Sequence, residues 1–220
     1  MKKEKILVTD FDGTMTGRDF FRLALEYLPP ETALFWDQYK KGETTHFKAL
    51  ASIFLRLRCP ESKANELLDK MELDGGVKSA CERLEARGWR LVIASAGCLW
   101  YIEKILTPLN ITAEIHANPG VFTESEGLVM ELPVGSLYFS PTIGIDKSRL
   151  VQTALGQGIV AFAGDGRPDL GPALLVHSSR RFAKGRLAEE LTKRGESFHP
   201  FRSWSEMVDK LLDGGPVTRY

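Results

Sequence analysis

Four aspartates, one serine and one lysine carry most of the chemistry available in this chain. Asp10 and Asp12 lie one residue apart in ILVTDFDGTMT, where a short apolar run from Ile6 ends on two like charges. Asp165 and Asp169 recur far downstream in GDGRPD, Ser95 precedes Ala96-Gly97, and Lys147 stands in SPTIGIDKSR. A cluster of carboxylates needs a cation. Oxygen-only ligands select a hard ion, and Mg²⁺ typically takes one or two carboxylates, keeps waters and leaves room for phosphate oxygens. Lys147 would neutralise remaining charge, and Ser95 with Ala96 and Gly97, read at a helix N-terminus, offers a hydroxyl and backbone N–H groups to an anion. Glycines at 13, 97, 164 and 166 suit close approach of a ligand to the backbone. The mutual repulsion of Asp10 and Asp12 makes sense if a metal and a phosphoryl group are their partners.

Each element alone has an ordinary reading. DxD is often a turn, GDG occurs in many loops, and a lysine that opens a helix is usually solvated. Their order along the chain is the stronger signal, because each follows or faces the end of a buried strand. Lys5 to Asp10, Trp89 to Ser95 and Gly158 to Gly164 are short apolar runs suited to a parallel sheet covered on both faces. Between them lie amphipathic helices, predicted over Val77–Arg87, Ser148–Leu155, Arg181–Arg194 and Ser205–Leu212, the last with an N-cap at Ser203 and a stop at Gly214-Gly215. The alternation predicts an α/β fold with a doubly wound, mostly parallel sheet, and the site residues then gather at its carboxyl edge.

One interval breaks the rhythm. From Gly17 to Gly76 only helix-like stretches appear, Asp19–Tyr27, Glu31–Lys40, Thr45–Leu57 and Glu61–Met71, separated by Pro29-Pro30, Gly42 and Pro60. About 60 residues is too long for a connection inside a compact sheet and enough for an inserted helical cap. The expected organisation is a core of residues 1–16 and 77–220 with a cap of residues 17–76. A second irregular interval, Asn118 to Gly144, has turn signals around VFTES and LVMELP and predicts a β-hairpin.

Composition narrows the partners. The 220 residues carry 29 lysines and arginines against 29 aspartates and glutamates, so charge gives no reason to expect nucleic acid or an anionic membrane. Cys59, Cys81 and Cys98 form no CxxC pair, and the four histidines are scattered, which argues against a disulfide framework or a zinc site. The opening MKKEKILVTDFD has too short an apolar run for a signal peptide, and no later stretch approaches the roughly 18 apolar residues of a membrane span. A cytoplasmic location is expected; monomer and homodimer stay equally open.

The motifs resemble those of the haloacid dehalogenase superfamily of aspartate-nucleophile phosphatases. Asp10-Phe11-Asp12-Gly13-Thr14 is similar to its first motif, Ser95 to its second, Lys147 to its third, and Gly164-Asp165-Gly166-Arg167-Pro168-Asp169 to its fourth. The resemblance implies a Rossmann-like core and a Mg²⁺-dependent phosphomonoesterase acting on a small phosphorylated metabolite. It implies Asp10 as nucleophile. Asp12 would be the acid that protonates the leaving alcohol and the base that activates water. Mg²⁺ would be held by the side chains of Asp10 and Asp165 and the carbonyl of Asp12, with Asp169 on a metal-bound water or the ion itself. Gly13, Ser95, Ala96, Gly97 and Lys147 would line the phosphate position. Asp12 also separates reactions, since dehalogenases lack it. The other readings of the same residues are a phosphotransferase that passes the phosphoryl group to an alcohol, and a noncatalytic phosphate-binding protein.

The helical insertion resembles the small cap of the phosphoserine phosphatase-like branch, and LVMELP, the lysine after it and HPFRSWSEMVDKLL look closest to the methionine-salvage phosphatases. Asp19 is similar in position to an acidic residue that faces the substrate amino group in phosphoserine phosphatases; here it either does the same or starts a cap helix. Those enzymes place an arginine in the cap where this chain has Ser52, which disfavours phosphoserine unless Arg56 or Arg58 substitutes. The methionine-salvage enzymes carry cysteines near the third motif, where this chain reads SPTIGIDKSR.

Overall fold

The structure, a computed structural model, describes residues 3–214. Its first strand, β1 (Glu4–Thr9), is followed by four helices, α1 (Phe20–Tyr27), α2 (Leu34–Lys40), α3 (His46–Phe54) and α4 (Glu61–Asp69). Then come α5 (Val77–Ala86), β2 (Trp89–Cys98), α6 (Leu99–Leu106), β3 (Glu114–Asn118), the pair β4 (Gly120–Thr123) and β5 (Gly127–Met130), and the short pair β6 (Phe139–Ser140) and β7 (Gly144–Ile145). The chain continues through α7 (Lys147–Gln157), β8 (Gly158–Gly164), α8 (Leu170–Leu175), β9 (Arg181–Ala183), α9 (Gly185–Lys193), β10 (His199–Pro200) and α10 (Trp204–Asp213).

Six strands form one parallel sheet in the order β10-β9-β8-β1-β2-β3. β1 lies inside it, so its apolar run is buried on both faces. Ile6 and Val8 join Leu150, Val151, Leu187 and Leu191 on one side, while Leu7 packs on the other side into a cluster with Leu84, Ile102 and Met207. That alternation is why β1 has no polar face. The chain winds outward from β1 in one direction through β2 and β3, and in the other through β8, β9 and β10. The reversal falls between β1 and β8, where an open α/β sheet leaves a crevice at its carboxyl edge.

Three expectations need correction. The stretch Arg181–Arg194 is not one helix: Arg181–Ala183 is a strand pairing with β8 and β10, and the helix begins at Gly185. Helical spacing lost to tertiary contacts, because the buried Arg181 guanidinium donates to the carbonyls of Ala173 (2.7 Å) and Ser197 (3.1 Å) and pairs with Glu196. Nor is Ser95 at a helix N-terminus. β2 runs on to Cys98, with a register shift against β3 between Ala94 and Cys98, and α6 starts at Leu99. Residues 31–40 also divide, into a 3₁₀ turn Pro30–Ala33 and α2. At the C-terminus, the Ser203 hydroxyl caps α10 by accepting from the Glu206 amide, and Gly214 ends it in a left-handed conformation; Gly215 lies outside the described residues.

The inserted helices form a cap whose two connections to the core run side by side. Thr16 bridges Leu73, the Gly17 amide donates to the Met71 carbonyl, and the Asp74 amide donates to the Met15 carbonyl. The hairpin β4–β5 packs on this cap. Gly127 has φ +78°, and a Cβ there would meet the Leu55 carbonyl oxygen at 2.8 Å, so the tight turn is seated against the end of α3.

A second tight contact supports the last residues of β2. The Asn118 amide donates to the Ala96 carbonyl at 2.8 Å, and Gly144, at φ +85°, leaves room for Asn118, whose Oδ1 would be 1.6 Å from any added Cβ. Gly144→Ala must both adopt an unfavourable φ and displace Asn118. We expect it to destabilise the fold by at least about 2 kcal/mol, measured by urea denaturation; an unchanged midpoint would show that Asn118 moves freely.

Candidate functional site

β1 and β8 each end in an aspartate-bearing loop, and α7 brings a lysine up beneath them. The ammonium of Lys147, the first residue of α7, lies 2.8 Å from Asp10 Oδ1 and 2.6 Å from Asp169 Oδ1. Asp10 Oδ1 also accepts from the Phe11 amide at 2.8 Å. Asp169 is fully buried, and its other oxygen accepts from the Asp165 and Gly166 amides at 3.1 and 2.9 Å. Asp165 accepts from the Thr14 hydroxyl at 2.9 Å.

Oxygens of Asp10, Asp165 and Asp169 lie within 4.8 Å of one another. Of these three carboxylates only Asp10 and Asp169 touch Lys147, and their ligand atoms are all hard oxygens, so the residues fit a divalent cation better than they fit one another. The electrostatics agree. Burial, then the neighbouring charge of Asp169, holds the Asp10 carboxyl well above the ordinary aspartate range, and the same causes push Asp165 up to about 7. Lys147 is raised, since Asp10 and Asp169 outweigh the cost of its burial.

Asp12 faces elsewhere. Its Oδ2 accepts from the Tyr101 hydroxyl at 2.7 Å and from Ser95 Oγ at 3.4 Å, and its Oδ1 accepts from the Phe20 amide at 3.0 Å. Burial and the charge of Asp19 push this carboxyl up to about 6. Two aspartates one residue apart therefore occupy different environments, one against a lysine and two acids, the other against neutral donors with the Asp19 charge nearby.

Glycines make this packing possible, in a way different from the close ligand approach expected of them. A Cβ on Gly97 would lie 1.7 Å from the Tyr101 hydroxyl and 2.9 Å from Asp12 Oδ2, one on Gly13 would lie 2.6 Å from Asp165, and one on Gly164 the same distance from Asp169. Their missing side chains admit the acids; Gly166 has only ordinary contacts. The Gly97 amide, expected to meet an anion, donates to Ser95 Oγ at 2.9 Å.

These groups open onto a cavity of about 350 Å³. Asp10, Asp12, Asp19, Ser95, Ala96, Gly97, Lys147 and Asp165 line it, while Asp169 stands behind Lys147. The cap supplies the opposite wall through Phe21, Trp36, Tyr39, His46, Leu50 and Phe54. Asp19, at the N-cap position of α1, is paired with Arg22 Nε at 2.5 Å and makes no side-chain cap bond. Ser52, Arg56 and Arg58 are absent from the lining; Arg56 instead stacks on Phe35 and donates to the Ser52 carbonyl.

Residues 7–174 match the family of haloacid dehalogenase-like hydrolases. The chain belongs to that family. Among curated proteins, 2-hydroxy-3-keto-5-methylthiopentenyl-1-phosphate phosphatase of Brevibacillus brevis is 25% identical over 129 residues, which cover 56% of this chain and 57% of that protein. Among solved structures, a phospho-aspartyl intermediate analogue of phosphoserine phosphatase superimposes with TM-score 0.67 at 16% identity, covering 94% of this chain and 99% of the other. A phosphoserine phosphohydrolase-like protein from Francisella tularensis gives 0.65 at 19%, with 94% and 99% covered. These structures share the fold with this chain.

Sequence reading missed Tyr101 and His46. Tyr101 had no motif around it, and only the clash at Gly97 reveals why it reaches Asp12. His46 packs edge-on against Trp36 and Tyr39 at ring distances of 5.5 and 5.1 Å, and its Nδ1 is buried without a hydrogen-bond partner. Burial, with Lys147 nearby, lowers it from 6.5 to about 4. A folded-state value below the unfolded one means that the neutral ring contributes stability in full above pH 6.5, and that this is lost as pH falls toward 4. Relative to His46→Phe, the wild type should lose on the order of 3 kcal/mol across that window. Parallel urea melts at several pH values check this; equal acid sensitivity of the two proteins would contradict it.

Proposed function

We propose that this hydrolase is a cytoplasmic, Mg²⁺-dependent phosphomonoesterase that cleaves a small phosphorylated metabolite through an aspartyl phosphate on Asp10. The observation that carries the reading is the opposed orientation of Asp10 and Asp12. A nucleophile must stay ionised beside positive charge, and an acid-base group must stand apart from that charge and within reach of the leaving oxygen. Asp10 touches Lys147, and since burial and Asp169 raise its carboxyl, it is the positive charge of bound Mg²⁺ that would hold it ionised; Asp12 is turned toward Tyr101 and Ser95, with its carboxyl raised to about 6. The division between core and cap is proposed to fall at 16/17 and 76/77.

Asp10 attacks phosphorus as Asp12 gives a proton to the departing alcohol oxygen, and the ester bond breaks. Asp12, now ionised, takes a proton from water that attacks the same phosphorus, releasing phosphate and regenerating Asp10. Lys147 and Ser95 offset charge on the transferring oxygens. Asp169 acts on Lys147 and on the Asp165 and Gly166 amides, and so is a positioning residue. Asp10, Asp165 and the Asp12 carbonyl would hold Mg²⁺, which when bound supplies the positive charge that this acidic site lacks.

The substrate of the Brevibacillus brevis relative, a phosphate ester of an unsaturated hydroxy ketone by its name, suits this cavity better than phosphoserine does. Asp19 is already paired with Arg22, and neither Arg56 nor Arg58, which follow α3, reaches the lining. Purified protein should release phosphate from small monoesters with Mg²⁺, stop with EDTA, and lose at least about 10³-fold in kcat in Asp10→Asn. Comparable turnover by that variant would move the nucleophile elsewhere.

A further inference from the structure

Resting on the phosphatase reading, we propose that His46 is a specificity-determining residue: its Nε2–H donates to an uncharged acceptor oxygen in the substrate's leaving group, which lies on the aromatic wall of the cap. The site would then take phosphomonoesters whose alcohol part is mainly apolar and carries a carbonyl or ether oxygen, in preference to zwitterionic or acidic ones.

The wall is continuous. Phe21 lies 4.1 Å from Trp36, ring to ring, Trp36 lies 4.9 Å from Tyr39, and both Trp36 and Tyr39 flank His46. With Leu50 and Phe54 these side chains face the aspartates across the cavity, so a phosphate held at Asp10 projects its alcohol part against them. Such a surface gains from burying apolar groups and loses from burying charge.

His46 is the polar exception on that wall. A neutral imidazole carries one proton on either nitrogen. Nδ1 is sealed off with nothing to donate to, and a buried N–H without an acceptor is costlier than an idle lone pair. The proton therefore belongs on Nε2, leaving the ring a donor toward the cavity. Most of the cavity's cations are already engaged: Arg22 is paired with Asp19, Lys40 with Asp37 and Lys147 with Asp10 and Asp169. Arg167 and Arg186, exposed on the lining, are the competing donors, and they favour a charged acceptor over a neutral one. Nothing in the phosphoryl-transfer steps uses His46.

Binding of non-hydrolysable phosphonates, measured calorimetrically on the whole protein with Mg²⁺, tests the assignment. The probes are pentylphosphonate, its 2-, 3- and 4-oxo derivatives, 4-carboxybutylphosphonate and inorganic phosphate. One oxo isomer should bind wild type about tenfold more tightly than pentylphosphonate, the worth of one good hydrogen bond. His46→Phe should erase that preference while keeping pentylphosphonate affinity, and His46→Gln, which retains a donor near Nε2, should restore part of it. An oxo preference that persists in His46→Phe, or no oxo preference in wild type, would overturn the assignment. Tightest binding of the carboxylate probe would overturn it in favour of Arg167 and Arg186. Failure of inorganic phosphate to bind would overturn the phosphatase reading itself, whereas phosphate binding without any oxo preference would remove His46 alone.

Discussion

At the crevice between β1 and β8 the buried carboxylates of Asp10 and Asp169 converge on one ammonium with a third, half-buried carboxylate, Asp165, beside them, and most of the site's architecture manages that concentration of charge. Asp169 has no solvent and survives by accepting from Lys147 and two backbone amides. Lys147 can be buried only because Asp10 and Asp169 both face it. Removing one partner of such a set leaves an uncompensated charge in a poorly solvated place, which costs several kcal/mol. A second cation would relieve the remaining excess of acids. The fold therefore carries, as a built-in instability, the negative charge that the proposed chemistry requires.

The parallel sheet makes this convergence possible. Strands packed on both faces by helices end at one edge, and the winding reversal keeps that edge open. The cap then covers it with an apolar, largely aromatic wall. One half of the cavity is acidic and the other aromatic, a contrast that under the proposed mechanism would separate phosphoryl handling from recognition of the leaving group.

Much of this was legible in the sequence, for physical reasons that differ by element. β1 and β8 were readable because the buried stretch of a central strand is apolar on both faces. The strand–acid–glycine pattern placed Asp10, Asp12 and Asp165 at strand ends, and Lys147 at the start of α7. β9 was not readable: three residues carry too little periodicity, and Arg181 looks solvated until its carbonyl partners are seen. The extension of β2 past Ser95 was equally hidden, since the register shift depends on β3 and on Asn118 beneath it. Tyr101 and His46 escaped because their roles arise from contacts between elements distant in the chain.

The central claim is that Asp10 forms a covalent phosphoryl bond during turnover. The most direct measurement is rapid acid quenching of the enzyme with Mg²⁺ and a rapidly cleaved aryl phosphate, followed by mass spectrometry of the peptide containing Ile6 to Thr16. A mass increase of one phosphoryl group is expected on Asp10, chased away when substrate is exhausted and accumulating in Asp12→Asn, where the second step lacks its base. Turnover with no phosphorylated Asp10 at any quench time in either protein would contradict it.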